Sequence, residues 1–155
     1  MALNQETIDA WLRETDSEWG AEETYKQLAT GVDAKIRNNV GAALVASVGE
    51  EKITYYDSIV ESGTIQVLLV GTSCSYLLRS IDTDLPTVQV FPNTSVTGLK
   101  VISWPPLGTK HFEPEQLEFF AAFGELTIRF PLREANDALA EDRAALFGRF
   151  KKLLV

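Results

Sequence analysis

Apolar positions along this chain follow two periods. Up to about Val48 they recur every three or four residues, as on one face of a helix; beyond it they alternate as in strands. Asn4 is a good N-cap, and Leu3 and Ile8 flank it at the spacing of a hydrophobic staple. Ile8, Trp11, Leu12, Thr15 and Trp19 then share one helical face, which Gly20 ends or kinks. Tyr25, Leu28, Ala29 and Val32 repeat the pattern, with a break near Gly31. Asp33 caps a third helix whose stripe is Ile36, Val40, Ala43, Leu44 and Val48, stopped by Gly49. The expectation is three short amphipathic helices.

From Lys52 the register changes. Ile53, Tyr55 and Ile59 alternate with Thr54, Tyr56 and Ser58, which suits a half-buried strand. A turn follows at 61–64, and Ile65 to Val70 is apolar at nearly every position, the mark of a strand covered on both faces. Ser75 to Ser80 reads as the next strand after Gly71-Thr72-Ser73, and 82–86 as a loop. Val88 and Val90 mark a short strand that Pro92-Asn93 ends, and Leu99 and Val101 mark another. Trp104-Pro105-Pro106 cannot continue a sheet, because adjacent prolines lack backbone donors. Leu117–Phe123 and Glu125–Phe130 pair as a hairpin across Gly124, although Glu115–Ala122 also contains good helix formers. Strand and helix both remain open there.

The last segment places Leu139, Leu146, Phe147, Phe150, Leu153 and Leu154 mostly at helical spacings. Glu134 and Asp137 open it, and Arg149, Lys151 and Lys152 close it, the order that the helix dipole favours. One amphipathic helix over about 135–153 is expected.

Composition narrows the function classes. The chain has 155 residues, long enough for one domain with a real core, and 14 Lys and Arg against 22 Asp and Glu give a net charge of −8. That balance argues against sequence-independent binding to nucleic acid, which needs clustered Lys and Arg. One Cys excludes an internal disulfide, and one His removes His-rich metal sites. The opening residues hold neither a basic n-region nor an apolar h-region, and no apolar run approaches the roughly 20 residues of a membrane span. The expected setting is cytoplasmic, without membrane insertion. The sequon Asn93-Thr94-Ser95 carries no weight in that setting.

About seven strands followed by one long amphipathic helix resemble a bacterial pleckstrin-homology-like (PH-like) domain over residues 49–154. The turn Gly49–Ile53, the central stretch Thr64–Thr72 and the proline step Phe91–Val101 carry the resemblance, together with the last helix. The Trp104–Glu115 loop departs from it as an insertion. The resemblance implies an α+β fold: N-terminal short helices, then an antiparallel seven-stranded PH-like sheet or partly open barrel closed by the C-terminal helix. Its expected division is 1–48 as a helical extension and 49–155 as the PH-like domain. It also implies a scaffold for binding and assembly, with no catalytic residues to carry over. PH domains that hold phosphoinositides do so with Lys and Arg in the first strand and the loop after it. Here 57–64 contains Asp57 and Glu61 and no base, so phosphoinositides are disfavoured.

Candidate chemistry is sparse. His111, between Lys110 and Phe112 and before Glu113 and Glu115, offers a general base oriented by a glutamate, or else a surface loop histidine, the favoured reading. Cys74 in Gly-Thr-Ser-Cys-Ser lacks the strand-to-helix setting of a nucleophile elbow and reads as a small thiol between strands. Glu113, Glu115 and Glu118, like Asp82 and Asp84, carry no recognisable metal-ligand spacing and read as solvated acidic surface. No nucleotide-binding glycine motif occurs, and no cofactor or metal is expected. Trp11, Trp19, Tyr56 and Trp104 are the candidate partner-binding residues, since aromatic anchors carry much interface energy. The helical arm must bury its aromatic face on its own sheet or on another chain, and self-association through that arm or an edge strand is expected. The expected function is a non-enzymatic binding or assembly module. The alternative is a small acidic inhibitor or immunity-type protein that its charge steers to a basic partner.

Overall fold

A computed structural model describes residues 3–20, 34–61, 63–81, 85–103 and 117–154. The helix expected over Tyr25–Val32 lies outside them. The chain divides into two compact units, Met1–Phe91 and Pro92–Val155. The change of period after Val48 is therefore a change of secondary structure: the helices before it pack with the first sheet in one unit.

In the first unit, helix α1 (Gln5–Thr15) starts as expected, with the Asn4 side chain accepting from the Thr7 N–H at 2.9 Å. It ends earlier than Gly20. Asp16 is extended, and Ser17–Gly20 forms a 3-10 turn that delivers Trp19 to the core by a different path from α1. Helix α2 (Ala34–Val48) stops at Gly49, whose φ of +63° is the left-handed geometry of a helix C-terminus. Strands β1 (Ile53–Glu61), β2 (Thr64–Gly71), β3 (Cys74–Ile81) and β4 (Thr87–Pro92) follow in spatial order β1-β2-β3-β4. Ser58 pairs with Val67, and Val67 with Leu78, so one parity of residues faces the helices. Val60, Ile65, Val67, Leu69, Tyr76 and Leu78 share a core there with Ile8, Leu12, Trp19, Val40, Leu44 and Val48. The other parity is buried as well: Tyr55, Leu68, Val70 and Leu77 are each at most 4% exposed.

Asn93–Ser95 forms a 3-10 turn in which the Ser95 hydroxyl donates to the Pro92 carbonyl at 2.6 Å. This step interrupts the run of strands. The seven expected strands are present, but as a four-stranded and a three-stranded sheet in place of one seven-stranded sheet, and among the described residues no ladder joins the two.

In the second unit, β5 (Gly98–Ser103), β6 (Glu118–Phe123) and β7 (Leu126–Phe130) form an antiparallel meander. The Leu117–Phe123 ambiguity resolves as strand, because Phe119 opposite Phe130 stacks at 4.9 Å between ring centroids. Helix α3 spans Ala140–Leu153, starting five residues later than expected. Ala135 and Leu139 hold φ of 60° and 55°, which no helix accepts. Phe147 and Phe150 of α3 meet Phe119, Phe123 and Phe130 edge-on. Among the described residues no helix is long and apolar enough to cross a membrane.

Candidate functional site

Buried polar groups are where chemistry is expected, so each cluster is followed to its partners. Glu51 follows α2 and reaches over the β2–β3 hairpin. One carboxylate oxygen accepts from the Ser73 and Cys74 N–H groups at 2.9 Å each, and the other from the Tyr76 hydroxyl at 2.7 Å. Burial disfavours its charge, but these three donors outweigh burial and hold the carboxyl below its ordinary value. Burial and the hydrogen bond to Glu51 push the Tyr76 phenol up. Three of the carboxylate's roughly four acceptor sites are taken up by donors of the hairpin, so it acts as a clip. Cys74, the half-buried thiol expected between strands, sits at the start of β3 beside this clip.

Glu118 performs a similar task in the second unit. It accepts from Arg129 at 2.7 Å and from the Ala135 N–H at 3.1 Å. Burial again opposes the charge, and Ala135, Arg129 and the nearby Arg143 charge together keep the carboxyl below its ordinary value. Glu118 is thus a buried, bridged carboxylate, not the solvated acid the sequence suggests. Arg143 is fully buried and donates to the carbonyls of Leu117 at 2.8 Å, Asn136 at 3.1 Å and Ala138 at 3.4 Å. Neither Glu51 nor Arg143 stands out by periodicity as functional. Arg143 does leave one signal: it occupies the apolar stripe between Leu139 and Leu146, where a charged residue needs buried partners.

The aromatic candidates separate. Trp11 and Tyr56 stack with ring centroids 4.6 Å apart and planes 8° from parallel, and the Tyr56 hydroxyl donates to Glu14 at 2.6 Å. Trp19 is 1% exposed and donates its indole N–H to Asp9 at 2.7 Å, while Arg13 bridges the other oxygen of Asp9 at 2.8 Å. The aromatic face of the arm is therefore covered by its own sheet, which removes Ile8, Leu12 and Trp19 from any outer surface. Trp104, His111, Glu113, Glu115, Asp82 and Asp84 lie outside the described residues. Among the described residues no group of three or more His, Cys, Asp or Glu is placed to hold a metal ion.

The described residues line two depressions of note. One of about 280 Å³ lies between α1 and α2, lined by Glu6, Asp9, Trp19, Arg37 and Asn38. The other, about 400 Å³, lies on the face of the three-stranded sheet over Gly98, Lys100, Phe120, Ala122 and Thr127. The register places these five residues on the face opposite Phe119, Ala121 and Phe123. Beside this second depression runs β5, among the described residues an edge strand, with Val101 41% and Ile102 42% exposed. Strand edges with open backbone groups bind other strands, and this is the chemistry the described surface offers. Compared with models of known families, with curated proteins and with solved structures, the chain matches none of them.

Proposed function

We propose that the chain is a non-enzymatic binding or assembly module built on a bacterial PH-like scaffold. One observation carries this reading. The four-stranded sheet is buried on both faces: among the described residues helices pack on the face of Val67, Leu69 and Leu78, and Leu68, Val70 and Leu77 are buried on the other. A meander of four strands, a meander of three and one C-terminal helix is the chain order of a PH-like barrel. The β1–β2 connection supports a protein ligand over a lipid. It is two residues long, Asp57 before it is buried at 2% exposure, and Glu61 stands at its rim. An experimental structure tests the scaffold: the reading expects the strand order and closing C-terminal helix of PH-like domains, and a different strand order contradicts it. Vesicles bearing phosphoinositides are expected to leave the chain unbound.

A second reading, a small acidic inhibitor or immunity-type protein, is favoured by the distribution of charge. Residues 1–91 hold six Lys and Arg against fourteen Asp and Glu, whereas residues 92–155 hold eight of each. The whole −8 thus belongs to the first unit. This reading expects capture of a basic protein that weakens steeply between about 50 and 500 mM salt, as screening shortens the Debye length. Binding indifferent to salt contradicts it.

A further inference from the structure

We infer that the edge of β5, unpaired among the described residues, pairs with β5 of a second copy of this chain. The inference rests on the binding-module reading and names the partner. Among the described residues four sheet edges compete for such a role, and three are weaker. The β1 edge is closed in part by the end of α1: the Asp16 carboxylate takes the Val60 N–H at 2.9 Å, and Thr15 and Ser58 share a hydrogen bond of 2.6 Å. β7 shows no large exposed apolar side chain. β4 exposes Val90 at 51%, but it belongs to the unit that carries the entire −8, so joining two copies there brings like charges together. β5 belongs to the neutral unit, where a second copy of an acidic chain meets no net local repulsion.

Its side chains suit self-pairing. Between Gly98 and Ser103 the only charge is Lys100, and pairing with β6 is regular from Gly98 to Val101. Two antiparallel β5 strands related by a two-fold axis near Val101 bring the exposed Val101 side chains together. That placement keeps each Lys100 away from its counterpart, whereas an axis at Lys100 sets two ammonium groups face to face.

Sedimentation of the full chain from micromolar to several hundred micromolar tests this, with Val101→Lys and Val90→Lys as variants and circular dichroism as the check on folding. The expected result is a reversible dimer. Val101→Lys weakens it about ten-fold or more, because it sets like charges across the axis; Val90→Lys leaves it unchanged. A monomer throughout the range overturns the inference, as does a dimer that a folded Val101→Lys variant retains. Those outcomes concern the partner alone. The scaffold reading stands or falls separately, on the experimental structure.

Discussion

The carboxylate of Glu51 fills the volume in which a side chain at Gly71 would stand. A Cβ there would collide with Oε2, Cδ and Cγ of Glu51, so the glycine makes room for an acid that arrives 20 residues earlier in the chain. Gly71→Ala is expected to cost about 2 kcal/mol in chemical unfolding, because either the clip or the strand must shift. A cost below a few tenths shows that Glu51 moves aside freely.

The same clip and its counterpart at Glu118 give the stability a pH dependence. Both carboxyls lie below the ordinary value of 4.5 in the folded chain. Their contribution is complete above that value and is lost as pH falls through the lower folded values. Denaturant midpoints measured from pH 7 downward are expected to hold to about 4.5 and then decline. Glu51→Gln starts lower and declines less steeply; an unchanged acid slope contradicts the assignment.

Stacking of Trp11 on Tyr56 ties α1 to β1 by side chains alone. Replacing each by Ala, singly and together, is expected to give a coupling of about 1 kcal/mol in a double-mutant cycle. Additive losses show that the two rings merely share a surface.

Arg143→Met removes a buried cation and strands the carbonyls of Leu117, Asn136 and Ala138. Its expected cost is about 3 kcal/mol, with the segment before α3 exchanging its amides faster than α3 itself. Ala135→Gly acts oppositely. At an exposed position with φ of 60°, it relieves left-handed strain and is expected to gain roughly 0.5 kcal/mol.

Much of this architecture was legible wherever local pattern and tertiary partner agree. Asn4 capped its helix, Ile65–Val70 showed burial on both faces, and Gly124 turned a hairpin. Legibility failed where a distant residue decides. Phe119 and Phe120 satisfy helix and strand alike until Phe130 and Arg129 pair with them. The start of α3 depends on carbonyls that Arg143 holds, which leave no periodic trace. Trp19 fits the α1 stripe by spacing, yet it reaches the core through a 3-10 turn after Asp16 leaves the helix to hold Val60. The candidate site was less legible still. Edge exposure is a property of sheet order, and Val101 looks like any other strand valine until β5 is placed outermost.

Whether the chain works by strand addition is read most directly from hydrogen exchange of the β5 amides at low and high protein concentration. Strand addition predicts that those amides from Leu99 to Ile102 whose N–H points away from β6 exchange more slowly as concentration rises, while β7 and the α1 amides keep their rates. Rates in β5 that stay the same over the whole concentration range contradict it.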